Sequence, residues 1–95
     1  MSLVVYSKKG CPFCSLLKRE LTTRAIPFES HDLSDDSVRA VFYSNSGTKS
    51  VPQVYLTSEP TTLTSPSGKA LGGWTDVAKI LTSLKEMISH GGNSR

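Results

Sequence analysis

Residues 3–20, LVVYSKKGCPFCSLLKRE, carry the chain's two cysteines, Cys11 and Cys14, where one pattern gives way to another. Leu3 to Ser7 is a short, continuous apolar run rich in Val and Tyr, of the kind that forms a strand covered on both faces. Gly10-Cys11-Pro12 breaks it. Proline in a helix's first turn forfeits no needed hydrogen bond, and Phe13, Leu16, Leu17 and Leu21 follow at helical spacing. The spacing predicts a helix that starts at the cysteines, fed by a buried strand through a thiol-bearing turn.

Working outward, Ala25 to Leu33 reads as a second strand. Ser34 is placed to cap the helix after it, and Asp35 and Asp36 fall in that helix's first turn, where acids favour the positive helix start. Val38, Val41 and Phe42 form its apolar stripe and Asn45-Ser46-Gly47 its stop. SVPQVYLT, residues 50–57, reads as a third strand with Pro52 at its first position, where a missing donor is tolerated. The Ser-, Thr- and Pro-rich residues 57–69 read as a loop, and a short fourth strand fits around Ala70 and Leu71. After Gly72-Gly73, the residues Val77, Ile80, Leu81, Leu84, Met87 and Ile88 make one helical stripe that His90-Gly91-Gly92 ends. The order β-α-β-α-β-β-α, with a right-handed parallel crossover and a final hairpin, implies an α/β fold: a four-stranded mixed sheet with helices on both faces.

Ninety-five residues, 37% hydrophobic and 20% charged, suit one ordered domain over residues 1–95. Leu3 to Tyr6, the longest apolar run near the start, is far short of a signal peptide's core or a membrane span. The chain is therefore expected in the cytoplasm, with no membrane partner. The net charge of +3 is uneven. Residues 1–25 hold Lys8, Lys9, Lys18, Arg19 and Arg24 against Glu20 alone, while residues 26–47 hold Glu29, Asp32, Asp35 and Asp36 against Arg39. Positive potential thus gathers around the cysteines. No stacking aromatics interleave those charges, which argues against a nucleic-acid partner.

Three uses of the cysteine pair compete. As a staple, a disulfide between residues three apart closes so small a loop that it contributes about 2 kcal/mol, against about 3 for a fifteen-residue loop. It ties no distant elements together, and a cytosolic setting keeps such pairs reduced. As a metal site, Cys-x-x-Cys is only half of a zinc arrangement. No second cysteine pair exists, and His31 and His90 lie 59 positions apart, where zinc-binding histidines lie roughly three to five apart, so no metal is expected. Thiol-disulfide exchange remains. The thiolate is the nucleophile, and a helix start favours an anion by about 0.3 to 1 kcal/mol, or up to about 2 when partly buried. Cys11, at that start and beside Lys8 and Lys9, is the expected attacking thiol. Cys14, one turn in and less exposed, is expected to attack the mixed disulfide on Cys11 and leave Cys11–Cys14 oxidised. Pro12 sets the geometry, and Phe13 either offers a flat apolar neighbour or packs in the helix face.

Taken together, YSKKGCPFC, SVPQVY and LGGWTD, in this order and at these separations, resemble the glutaredoxin branch of the thioredoxin fold, and the resemblance runs from Val4 to about Ser89. It implies a glutathione-disulfide oxidoreductase with Cys11 as nucleophile and Cys14 as resolving thiol. Glutathione is the reducing co-substrate, and disulfide-bearing or glutathionylated proteins are the partners of a monomer. It also implies a cis bond before Pro52, which places the Val51 backbone against the tripeptide. Lys8 matches the family's basic residue facing the glycyl carboxylate. Lys49 stands where relatives often have arginine, and Thr48 where several have a longer polar side chain. At the ligand's other end Thr75 and Asp76 match the γ-glutamyl subsite, although both would cap their helix in any case, and Trp74 either lines the groove or covers Gly72 and Gly73. Phe13 replaces a commoner tyrosine, and the 57–69 loop, longer than the usual hairpin, either frames the substrate groove or is a surface insertion, the second being the favoured reading. Two alternatives compete with this reading. One is a redoxin that uses the same thiols but is fed by thioredoxin reductase and donates to ribonucleotide reductase. The other is a non-enzymatic iron-sulfur carrier, two chains sharing a cluster through Cys11 and added glutathione, whose relatives usually have glycine where Pro12 stands.

Overall fold

The computed structural model describes residues 1–91. Strand β1 (Ser2–Ser7) is followed by α1 (Pro12–Thr23), β2 (Glu29–Asp32), α2 (Asp36–Ser46), β3 (Gln53–Thr57), β4 (Lys69–Gly72), α3 (Trp74–Ala78) and α4 (Leu81–Gly91). The sheet order is β2-β1-β3-β4. β1 runs parallel to β2, with Val4 opposite Glu29, and antiparallel to β3, with Val4 opposite Tyr55; β3 and β4 are antiparallel.

The continuous apolar run of β1 has the expected consequence, because alternate side chains enter two cores. Leu3 and Val5 join Val54 and Leu56 of β3 beneath Leu17 and Leu21 of α1, Val77 of α3, and Leu81 and Leu84 of α4. Val4 and Tyr6 join Tyr55, Leu33 and Phe42 of α2 on the opposite face. One face is covered by α1, α3 and α4 and the other by α2. The start of α1 then lies at the end of the central strand, where loops from several elements converge.

Several expectations need correction. Residues 25–28 are not strand: they complete the exit from α1. Ala25 takes a left-handed φ of 59°; its N–H bonds the Thr22 carbonyl, and the Ile26 N–H reaches back to the Leu21 carbonyl at 2.8 Å. This is a Schellman closure, in which Ile26 and Leu21 also meet in the core. Asp35, not Ser34, caps α2, its carboxylate accepting from the Val38 N–H at 3.0 Å. Ser34 is engaged instead with Asp32 and with the Lys9 N–H. Val41 lies off the buried arc of α2 at 48% exposure, while Tyr43 packs against the core in its place. Pro52 precedes β3 rather than opening it.

The final helix divides in two. At the break the N–H groups of Lys79 and Ile80 bond the carbonyls three residues back, at Asp76 and Val77. That tightened turn keeps the predicted apolar residues facing inward, since Val77, Leu81 and Leu84 are buried and Ile80, Met87 and Ile88 pack beside them. The helical stop at Gly92 falls outside the described residues. Residues 58–68 form the predicted loop, folded back over the α2 face. Thr62 accepts from the Tyr6 hydroxyl at 2.8 Å, Thr64 from the Asn45 amide at 2.8 Å, and Thr61 meets His31 Nε2 at 3.1 Å. Among the described residues no helix is long and apolar enough to cross a membrane.

Candidate dithiol site

Gly10 turns the chain into α1 with a φ of 76°, a conformation that glycine adopts without steric cost. Cys11 then occupies the cap position in extended geometry, with Pro12 in the first helical turn. The Cys11 sulfur accepts the Cys14 N–H at 3.2 Å, so a sulfur takes the place that a serine or aspartate oxygen fills in most helix caps. Its thiol points across to the Val51 carbonyl at 3.7 Å. An unpaired helix amide and the positive end of the helix both favour negative charge on that sulfur.

Cys14 sits differently. It is 1% exposed, against 9% for Cys11, and both thiols are free. Burial, then the hydrogen bond with Cys11, pushes the Cys14 thiol up to about 12, with the Lys8 backbone and the Lys18 charge pulling the other way. The two sulfurs of one helical turn are thus set apart, one at the cap position with an amide donor and one held protonated deeper inside.

Two open cavities flank this turn. The first, a groove of about 400 Å³, brings together Phe13, Val51, Pro52, Gly73, Trp74, Thr75 and Asp76, residues drawn from three separate stretches of sequence. Its wall also contains Ser50, Gln53 and Gly72, which sequence reasoning missed. Ser50 and Gln53 flank the Val-Pro pair, and Gly72 adjoins Gly73, so proximity along the chain was the available signal. The Val51–Pro52 bond is cis. Phe13, read as either packing or neighbour, is 57% exposed and faces the groove. Asp76 Oδ2 accepts from the Gly73 N–H at 3.3 Å. Gly72, with φ 99°, lies so close that an added Cβ would overlap that carboxylate.

The second cavity, about 330 Å³, opens on the other side of the cysteine turn and is lined by Lys8, Lys9, Lys18, Asp32 and Cys14 with two serines and Gly10. Lys8 is therefore not part of the groove wall, and neither are Thr48 and Lys49. The Thr48 hydroxyl is held by Ser46 at 2.6 Å, and Lys49 is exposed next to the groove residue Ser50. Across the cavity the Ser34 hydroxyl bonds the Asp32 carboxyl and holds it below the usual carboxylate range, helped by Lys9 and Lys18. Among the described residues, no group of three or more His, Cys, Asp or Glu side chains is arranged to hold a metal.

The glutaredoxin family model matches residues 3–60. The chain belongs to the glutaredoxin family. It is 37% identical over 82 residues to the hybrid peroxiredoxin hyPrx5 of Haemophilus influenzae, an alignment covering 82% of this chain and 28% of that protein. It is 25% identical over 93 residues to glutaredoxin-2 of Schizosaccharomyces pombe, covering 92% of this chain and 76% of that one. Among solved structures, a buckwheat glutaredoxin-glutathione complex is similar with a TM-score of 0.70 at 25% identity, over 95% of this chain and 78% of that one. The chain thus spans little more than a quarter of the Haemophilus relative. The expected four-stranded α/β thioredoxin fold and the family reading agree with these matches.

Proposed function

We propose that this protein is a glutathione-dependent disulfide oxidoreductase. It reduces protein disulfides and glutathione mixed disulfides through Cys11 and Cys14, as a monomer in the cytoplasm. The observation that carries this reading is the Cys11 sulfur itself. It caps α1, receives a backbone amide, and faces the carbonyl of Val51, which lines a groove large enough for a small peptide.

In the first half-reaction the Cys11 thiolate attacks a substrate disulfide and forms a mixed disulfide, expelling one thiolate. Cys14 then attacks Cys11 to release the second substrate thiol, or glutathione attacks the mixed disulfide directly. Two glutathione molecules return Cys11–Cys14 to the dithiol and leave as glutathione disulfide. The likeness to a glutaredoxin solved with glutathione supports the groove as the tripeptide site. Val51 and Pro52 form one wall, Phe13 and Trp74 supply apolar contact, and Gly73, Thr75 and Asp76 receive the γ-glutamyl end. Asp76 already spends one carboxylate oxygen on Gly73, which leaves the other for the ligand's ammonium. The glycyl carboxylate is met by lysine, with Lys49 and Thr48 approaching past Ser50 and Lys8 from the turn before Cys11. Lysine acts there as a point charge, without arginine's two-pronged grip.

An assay coupled to glutathione and glutathione reductase tests the proposal. Cys11→Ser is expected to abolish turnover with every substrate, whereas Cys14→Ser should lose protein-disulfide reduction and keep much of its deglutathionylation. Turnover that survives Cys11→Ser, or that needs thioredoxin reductase in place of glutathione, overturns it.

A further inference from the structure

Lys8 apart, the lysines of the second cavity have no task in the scheme above, yet Cys14 forms part of its wall. Cys14 and Lys18 stand four residues apart on α1, so their side chains share one face of the helix. Lys18 is half-buried there. Its other helical neighbours, Ser15, Leu21 and Thr22, bring no acid to that face. Among the described residues the ion pairs are Arg24 with Glu20 and Arg39 with Asp36, so Lys18 is in contact with no carboxylate. Asp32, across the cavity, directs a carboxylate oxygen to the Ser34 hydroxyl and N–H. The charged groups facing Cys14 are therefore Lys8 and Lys9 from the turn after β1, Lys18 from its own helix and Asp32 from β2.

We propose that Lys18 is the positioning residue of the resolving step: its ammonium, one turn from Cys14 in the same cavity, stabilises the Cys14 thiolate as it attacks Cys11. This rests on the dithiol cycle proposed above. Once Cys11 is tied up in a mixed disulfide, its hydrogen bond to and charge on Cys14 are gone. What remains is burial, which opposes ionisation, set against the Lys8 backbone and the Lys18 charge, which favour it. Lys18 is the one side chain among those causes that promotes the anion. In the step itself Cys14 gives its proton to solvent and its thiolate attacks the Cys11 sulfur. The Cys11–Cys14 bond forms as the bond from Cys11 to the departing sulfur breaks. The electron pair leaves with that sulfur, which takes up a proton, and no further oxidant or reductant is consumed.

The test is a rapid-quench measurement on the full chain. Reduced protein is mixed with a glutathionylated peptide, trapped with acid at intervals and analysed by mass spectrometry. Glutathionylated Cys11 and the internal disulfide are then counted separately. Lys18→Met should slow conversion of the first species into the second by about threefold, because a roughly tenfold smaller thiolate fraction is partly offset by the greater nucleophilicity of the more basic anion. Lys18→Arg should restore the rate. The rate at which Cys11 is first glutathionylated should not follow this pattern, and in a Cys14→Ser background the Lys18→Met penalty on deglutathionylation should vanish. Resolution at the parental rate in Lys18→Met overturns the proposal. So does an equal loss with and without Cys14, or a loss that arginine fails to restore. Failure of the cycle itself looks different, because Cys11 would then never be glutathionylated in any of the variants.

Discussion

The two ends of α1 are closed by opposite means. At the C-terminal end the backbone satisfies itself: the Ala25 and Ile26 N–H groups bond the Thr22 and Leu21 carbonyls, and an apolar contact between Ile26 and Leu21 seals the turn. At the N-terminal end the amide of Cys14 is met by a sulfur, a weaker acceptor than the oxygens that usually cap helices. One end is built for closure, with alanine forced into a left-handed conformation to achieve it. The other gives up cap strength to keep a reactive atom where helix amides point. Stability and chemistry are thus divided between the termini of a single twelve-residue helix.

The largest effect that sharpens this contrast lies within the N-terminal turn itself. With Cys14 pushed up to about 12, its thiolate fraction at neutral pH is on the order of a thousandfold below that of an ordinary exposed thiol. Iodoacetamide at pH 7 is expected to label Cys11 and leave Cys14 unmodified on the time scale over which free cysteine reacts fully, read by peptide mass mapping. Equal labelling of the two would erase the asymmetry.

The same burial has a consequence for stability. Cys14 has a folded-state pKa raised above its unfolded value of about 9. Above pH 9 the unfolded chain therefore sheds a proton that the folded one keeps. The contribution is complete below pH 9 and is lost as the pH climbs toward 12, by up to about 1.4 kcal/mol per unit. Tyr6 and Tyr55, both raised chiefly by burial, act in the same direction. Urea unfolding of the reduced protein at pH 8 and pH 10 should show the decline, and Cys14→Ala should flatten part of it.

The C-terminal end offers a smaller test with the opposite sign. Ala25 adopts φ 59°, where a Cβ costs about 1 to 2 kcal/mol and glycine adopts the angle freely. Ala25→Gly should raise the unfolding free energy by about 0.5 to 1 kcal/mol, after the extra freedom glycine gives the unfolded chain. Oxidoreductase turnover should not change. A loss of stability would mean that the Ile26–Leu21 contact, and not the turn, sets the energy of that end.

Much of this was legible in the sequence, and the failures share a cause. The unbroken apolar run of β1 announced a strand with two covered faces, and Leu3 with Val5 and Val4 with Tyr6 divide between the cores accordingly. Gly47 ended α2 as its position suggested, with φ 71°. Periodicity reports which residues share a face but not how wide the buried arc is, so Val41 was placed inside and lies outside. It also cannot see a tightened turn that preserves the apolar stripe, which is why α3 and α4 read as one helix. In the site, SVPQVY and GGWTD placed most of the groove wall. Lys8 lines the second cavity and not the groove wall, a placement that motif spacing could not give because it carries no information about which flank of α1 a side chain leaves the Gly10 turn on. Lys18, a surface lysine by pattern, became distinctive only when Cys14 and Asp32 were seen to share its cavity.

The smallest effect bears most directly on what the N-terminal end gives up. Cys11→Ser, which removes the proposed nucleophile, also replaces a sulfur with one of the better capping oxygens in the position that already accepts the Cys14 N–H. Serine in that role improves on a weak cap by about 0.5 kcal/mol, at the lower end of measured capping effects. The inactive variant should therefore unfold at a slightly higher urea concentration than the reduced parent, with an unchanged dependence on denaturant. If it is instead less stable, the sulfur is making contacts in the groove that an oxygen cannot replace, with the Val51 carbonyl at 3.7 Å the first to examine. If it is more stable, the cap position has been held below its best stability by the thiol that the chemistry requires.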